Sequence, residues 1–342
     1  MEKQVVYLLD SERYLEFRGM TFYVCSNKRR ELVARLPSSL IKRLFSLFNL
    51  TSRIFRIQVR AVVRLDESIF VLSMFGGVWR LDLEDKSIKK VFTSRECFSS
   101  PLNLCVFNDF VYWGDYGRNA SYEPVQIYCL NKKGDVKLMY TFKSGRIRHV
   151  HNIIHDSNEN MFWVLCGDNE SDAGIYRALI DFSEVYPFKI GEPRYRAVMA
   201  FSTNNGLLYA TDSVESINHV YLLKYDGEII DLGEINGSSI YGCENLENYF
   251  FSTTVEPTER INGIMTWFTA KLGEGIKNTD VHLICLSKDD LKPSIKAVYR
   301  KDWLPLKIFQ YGCLMFPGGQ ANNQQLKYYP FACTQSGLHT IL

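Results

Sequence analysis

The chain has no C-x-x-C pair, no long apolar run and almost no net charge. Each absence removes a class of protein. The nine cysteines, Cys25, Cys97, Cys105, Cys129, Cys166, Cys243, Cys285, Cys313 and Cys333, are odd in number and scattered singly. Most sit in apolar runs such as Leu104-Cys105-Val106. That pattern fits small buried hydrophobes in a reducing compartment, not a disulfide framework or a zinc cluster. No stretch approaches the ~20 apolar residues that cross a bilayer, and Met1 to Asp10 lacks the apolar core of a secretion signal. The expected location is the cytoplasm. A net charge of +2 excludes a nucleic-acid protein unless the positive charge is concentrated in one patch. There is no P-loop, dinucleotide-binding glycine fingerprint, G-x-S-x-G elbow or H-E-x-x-H helix. No motif requires a cofactor.

What is present is an apolar, aromatic chain: 46% hydrophobic residues, with 20 Tyr and 22 Phe in 342 residues. Aromatic and β-branched side chains suit packed sheets. A weak repeat of roughly 40 to 50 residues runs along the chain, in the range of propellers and solenoids. Arg196 to Leu232 shows it best. Arg196 to Phe201 is a first strand, Leu207 to Thr211 a second and His219 to Tyr225 a third. Asp226-Gly227-Glu228 is a hairpin turn, and Ile229 to Leu232 a fourth strand. Similar units begin at Ala61, Leu102, Arg148 and Ser239, and a last one near Ile308 runs short. A ring of blades protects its sheet edges by closure. The expectation is a single all-β domain over residues 1–342, a six-bladed propeller in which Val5 to Leu9 completes the last blade. Seven blades is the alternative, if Tyr14 to Leu36 forms a blade of its own.

Ser38 to Val59 breaks the β pattern. Leu40, Ile41, Leu44, Phe45, Leu47, Phe48, Ile54 and Phe55 recur at near-helical spacing, with Lys42, Arg43, Arg53 and Arg56 between them. Pro37-Ser38-Ser39 is a helix start. The segment reads as an inserted basic amphipathic helix. It either packs on the propeller rim or docks on a partner or an anionic membrane, which would make the protein peripheral at the inner membrane face.

In a propeller the starts of the first strands and the loops between second and third strands gather on one face, where ligands bind. First-strand starts supply Arg148, His149, His151, Arg194, Arg196 and Tyr241. The loops supply Asp115, Tyr116, Asp168, Glu170, Asp172, Asp212, Asn218, Glu256, Arg260 and Trp267, and the last blade adds Gly318 to Asn323. Alternation along a strand puts His149 and His151 on the same side. Two such imidazoles can hold a divalent metal or share acid–base work near neutral pH, or are ordinary hydrogen-bonded histidines. Asp168, Asp212 and Glu256 recur at one loop position and are candidate acids, bases or nucleophiles, or solvated loop carboxylates. Arg194 and Arg196 can neutralise a sugar carboxylate through paired hydrogen bonds, or pair with the acidic loops. Arg148, Asp115, Asn218 and Trp267 complete the candidate substrate-binding set.

Arg148-His149-Val150-His151, Trp163, Gly167-Asp168, Asp181-Phe182, Tyr195-Arg196-Ala197, Thr211-Asp212-Ser213, Asn218 and Thr253-Thr254-Val255-Glu256 form an ordered series. This series resembles the sialidase-like (BNR-type) propeller proteins of bacterial surface-polysaccharide gene clusters, often predicted glycosyl hydrolases. The resemblance covers about a third of the chain and implies a carbohydrate substrate. The chain departs from true sialidases in lacking S-x-D-x-G-x-x-W boxes. The His, Tyr and Arg set is similar in outline to that of propeller-fold polysaccharide lyases. Two kinds of function follow. One is a carbohydrate-active enzyme on a surface polysaccharide or its precursor. As a lyase it would use Arg194 or Arg196 against a uronate carboxylate, and His149, His151 or Tyr241 as base. As a hydrolase it would use two of Asp168, Asp212 and Glu256. The other is a non-catalytic glycan-binding or assembly module on the same face.

Overall fold

The computed structural model of the chain describes residues 4–27, 29–169, 171–258 and 267–341. Seven antiparallel sheets follow one another along the chain, each built from consecutive strands. This is the seven-bladed propeller, not the six-bladed one. The first blade is made of Gln4–Leu8, Tyr14–Arg18, Thr21–Cys25 and Arg30–Arg35. The expectation that Val5 to Leu9 completes the last blade is therefore corrected. That segment pairs with Tyr14–Arg18, because a five-residue turn makes the neighbouring strand the nearest partner. The last blade has three strands among the described residues, Cys313–Met315, Leu326–Phe331 and His339–Ile341.

The middle strands of each blade are sandwiched between neighbouring blades and are buried on both faces. Phe162 to Cys166 and all of Gly206–Thr211 are buried. Strands covered on both faces read as unbroken apolar runs, which is why they stand out in the sequence. Fourth strands such as Ile229–Ile235 have one wet face and a weaker signal. Trp113, Trp163 and Tyr209 are fully buried between blades and fill the wedge that widens from channel to rim. A register shift recurs between third and fourth strands in six blades, for example at Ile175/Tyr176 and Val220/Tyr221. Such bulges increase the local twist that a propeller blade needs.

The inserted segment differs from a single helix. It forms two short helices, Leu40–Phe45 and Asn49–Ile54. Ser39 Oγ caps the first by accepting from the Lys42 amide at 3.3 Å. The chain then breaks at Ser46 to Phe48, where hydroxyls compete for backbone carbonyls: Ser46 Oγ donates to Arg43 O at 2.6 Å and Thr51 Oγ1 donates to Phe48 O at 3.1 Å. Arg53 is buried and ties the second helix to the last blade's entry. Its Nη1 pairs with Asp302 at 2.5 Å and its Nε donates to Phe309 O at 2.8 Å.

First and last blades meet through a short parallel bridge. Leu8 N donates to Gly318 O and Gly318 N to Val6 O, both at 2.9 Å. Gly318 to Ala321 line the channel mouth shared with Ser157, Ser202 and Glu244. Those three residues end first strands or begin the turns that follow them, so this polar loop lies on the face opposite the first-strand starts. The reason is register: in the last blade Gly318 to Asn323 connects the first and second strands, not the second and third.

Gly319 has φ +79°, and a Cβ there would lie 2.4 Å from Leu8 O. Gly76 has φ +70° with nothing within 4 Å. Gly319→Ala is expected to cost about 3 kcal/mol and Gly76→Ala about 1 kcal/mol, since only the first adds a clash to left-handed strain. Urea midpoints of the two variants check this, and equal losses would mean that the first and last blades do not meet closely at Gly319.

Candidate active site

The site is built by three adjacent blades around the start of Val150–Asp156. Val150 pairs with Cys166 and Asn152 with Leu165, so a bulge leaves His151 without an opposite residue. Bulges re-aim side chains. Here the result is that His149 and His151, both buried, bring their Nε2 atoms to 2.8 Å. Asp168, in the loop before Gly174–Leu179, sets Oδ1 at 3.3 Å from His149 Nε2 and 3.2 Å from His151 Nε2. That loop is locked from below. Asp172 accepts from the Asn169 amide at 2.7 Å and from the Arg148 amide at 3.0 Å.

The other ring nitrogens are committed. His149 Nδ1 lies 2.6 Å from Gly117 O in the preceding blade, and His151 Nδ1 lies 2.9 Å from Ala197 O in the following one. A carbonyl only accepts, so both Nδ1 atoms carry the hydrogen. In the neutral rings both Nε2 atoms are then bare lone pairs facing each other and a carboxylate. Three acceptors at this spacing repel unless a positive charge sits among them, as an extra proton or as a cation. Asp168 answers the same balance. Burial pushes its carboxyl up, but when the extra proton sits on the imidazole pair, hydrogen bonds and charge from His149 and His151 outweigh burial and hold it well below the usual range.

Arg196 links this cluster to the next carboxylate. Its Nη1 donates to Asp168 O at 2.8 Å, and its Nη2 lies 3.5 Å from both Asp168 Oδ1 and Asp212 Oδ2. Asp212 is buried, and its Oδ1 accepts no hydrogen bond from the described residues. Burial is the main cause that pushes its carboxyl up to about 6. Arg196 opposes the shift and the charge of Glu256 adds to it. Glu256 accepts from Ser238 and Thr254 hydroxyls. Tyr116 covers the cluster, its ring 4.7 Å from that of His149, and burial pushes its phenol up to about 12. Arg60 stacks over Tyr116 at 5.2 Å. Arg60, Tyr116 and Tyr241 line one cavity at the channel mouth. Burial also raises the Tyr241 phenol.

The remaining sequence candidates lie elsewhere. Asp115 is buried in an ion pair with Arg95 and accepts from the Gln126 amide at 2.9 Å. Arg148 stacks over Tyr122 at 5.4 Å. Arg194 pairs with Glu192 at 2.7 Å on the exposed rim. Asn218 spends its amide on Ser213, Ser216 and Gly275, fastening two loops together. Trp267 is exposed on the long loop of the sixth blade. Glu170 and Arg260 lie outside the described residues. Arg60 is a residue of this mouth that is absent from the sequence candidates. Its position just ahead of the Ala61–Arg64 first strand, like that of Arg196 ahead of its own, is the signal that marks it.

No protein-family model and no curated protein matches the chain. The sialidase-like resemblance therefore rests on its quoted residues alone. Among solved structures the chain is similar to β-propellers. One is an oligogalacturonate lyase of Vibrio parahaemolyticus, at 10% identity and TM-score 0.54, covering 96% of this chain and 87% of that one. Another is an oligogalacturonate lyase in complex with manganese, at 9% and 0.57, covering 98% and 87%. A third is the WD40 propeller domain of Doa1, at 10% and 0.55, covering 99% and 93%. Identities this low show a common fold.

Asp212 makes a stability prediction. Its folded carboxyl at about 6 lies above the ordinary 3.8, so the folded state holds this proton more tightly than the unfolded one. That contribution is full below pH 3.8 and is lost as pH rises through about 6. Above that, the buried charge is a burden. Asp212→Asn is expected to be more stable than the parent at pH 7.5 by about 3 kcal/mol, a figure already net of the Arg196 pairing, with the advantage gone by pH 4. Thermal unfolding across that pH range measures it. A less stable variant at pH 7.5 would mean that the Arg196 pairing outweighs burial.

Proposed function

We propose that the protein is a divalent-metal-dependent lyase acting on an acidic glycan, of the kind found in surface polysaccharides or their precursors. The observation that carries this reading is the convergence of two imidazole lone pairs and one carboxylate oxygen, with both Nδ1–H groups tied to carbonyls. Anchoring the second nitrogen in this way is how proteins orient metal-binding histidines. Ligand atoms about 2.1 Å from one ion and at right angles lie about 3.0 Å apart. The observed separations of 2.8, 3.2 and 3.3 Å surround that value, so the donor set fits. Two nitrogens and one oxygen suit manganese, iron or zinc. A propeller of similar fold is an oligogalacturonate lyase in complex with manganese, which supports both the metal and the uronate.

His149, His151 and Asp168 would hold the ion, which supplies positive charge to a substrate carboxylate. Arg60 at the cavity wall would bind the same acidic sugar. Asp212 is suited to take the proton from the carbon beside that carboxylate. It is a buried carboxylate with one oxygen that accepts no hydrogen bond from the described residues and a basicity near neutral pH. The carbon–oxygen bond to the leaving sugar then breaks, a carbon–carbon double bond forms, and the Tyr116 phenol is placed to return a proton to the leaving oxygen. In this reading the histidines are ligands and not bases, because both of their nitrogens are used. A second reading, glycoside hydrolysis, is favoured by the same raised Asp212, which would act as the acid beside Glu256.

Incubation with oligogalacturonate and with the source organism's surface polysaccharide, with and without manganese, tests the choice. Unsaturated fragments one water lighter mean elimination, and fragments that have gained water mean hydrolysis. As base, Asp212 requires activity to rise with pH through about 6, and as acid it requires activity to fall there. Asp212→Asn is expected to lower kcat about 10²- to 10⁴-fold. His151→Ala is expected to abolish manganese binding by calorimetry. Intact polymers with the metal bound would favour a binding module, and failure to bind any divalent metal would overturn the metal reading.

A further inference from the structure

The two inserted helices present the largest cluster of exposed apolar side chains in the described residues. Leu40 is 81% exposed and Ile41 66%, and Leu44, Phe48, Leu50 and Phe55 are each more than half exposed. Elsewhere on the propeller exposed hydrophobics are scattered along outer strands and loops. Burying a side chain of this size is worth about 1.5–3 kcal/mol, so six left wet together are not accounted for by folding. Nor is the cluster a loose end. Phe45 and Phe55 stack at 4.9 Å to hold the helices together, and Arg53 fastens them to Asp302 and Phe309. The same tether holds Asp302, whose chain neighbour Trp303 is 88% exposed.

Charge identifies the occupant. From Leu32 to Leu65 there is no acidic residue and there are seven basic ones. Of these, Arg35, Arg43 and Arg56 are exposed around the apolar cluster. A protein interface of this size would be expected to mix charge signs at its rim. An apolar face carrying aromatic side chains, on a segment whose own charges are all basic, fits the interfacial zone of an anionic bilayer. Both helices have six residues and no helix among the described residues is long and apolar enough to cross a membrane, so the segment would lie in the interface plane. Arg56 also lines the cavity that holds Tyr116 and Tyr241. The cluster thus rims the face on which the candidate site opens.

We infer that residues 40–55, with Trp303, dock the protein on an anionic lipid surface and turn the channel mouth toward the bilayer. This inference stands apart from the catalytic reading. It explains why the apolar residues are concentrated here and why their flanks carry a single sign of charge.

Flotation with vesicles of phosphatidylcholine alone and of phosphatidylcholine with phosphatidylglycerol tests it. The full chain is expected to float with the anionic vesicles and to be released by salt. Ile41→Ser/Phe48→Ser should lose at least tenfold in partitioning, and Arg43→Glu/Arg56→Glu should lose about 25-fold or more, given roughly fivefold per basic residue. Trp303→Ala, at a fully exposed position outside the helices, gives a second readout that does not depend on helix folding. It should weaken partitioning severalfold while circular dichroism and unfolding stay unchanged. Absence of binding to anionic vesicles overturns the inference, as does equal binding to both vesicle types. Sedimentation as a dimer that Ile41→Ser/Phe48→Ser makes monomeric, without vesicle binding, would instead assign the patch to self-association.

Discussion

Two imidazole N–H groups at the start of one strand reach the backbone carbonyls of the blades on either side, His149 to Gly117 and His151 to Ala197. The candidate site depends on these bonds. They select the tautomer, aim both Nε2 lone pairs at one point, and make the angle between three blades part of the site's geometry. Asp168 adds an oxygen to that point, Arg196 leans on Asp168, and Asp212 leans on Arg196. Loss of one carbonyl contact would free a ring to rotate and disperse the rest. A propeller suits such a device because its blades approach one another most closely along the inner strands.

The protein carries two local costs that folding alone does not explain. One is the Asp212 carboxylate, taken out of water with an oxygen that accepts no hydrogen bond from the described residues. The other is the apolar surface of the inserted helices. Both lie toward the same end of the channel, and the opposite end shows neither among the described residues. Sites that bind or react often keep such unfavourable arrangements, because relieving them would remove the function. The recurrent bulges elsewhere are of another kind, since they serve the twist of every blade alike.

Much of the fold was legible. Middle strands buried on both faces produce continuous apolar runs, and hairpins such as Asp226-Gly227-Glu228 separate them. The blade count was not settled by the same signals, because closure is a long-range property. Val5 to Leu9 reads equally well as a partner for either terminus, and only the pairing of Gln4 with Phe17 and Leu8 with Tyr14 assigns it. The inserted segment has helical spacing throughout, yet Ser46, Thr51 and Ser52 bond to nearby carbonyls and divide it. Asn218 and Asp115 sit on the expected loops, but their side chains turn inward to hold those loops in place.

By itself the sequence determined that this is an all-β repeat protein, which strands form its middles, and which face gathers His149, His151, Asp168, Arg196 and Asp212. Those conclusions follow from periods of two and of one blade, which are local or nearly so. The tertiary structure alone decided that there are seven blades, that a bulge at His151 turns its ring onto His149 and Asp168, and that Arg60 and Tyr116 wall the same mouth. Those outcomes depend on ring closure and on distances between residues far apart in the chain. Alternation along a strand specifies which side a residue faces, and carries no information about what meets it there.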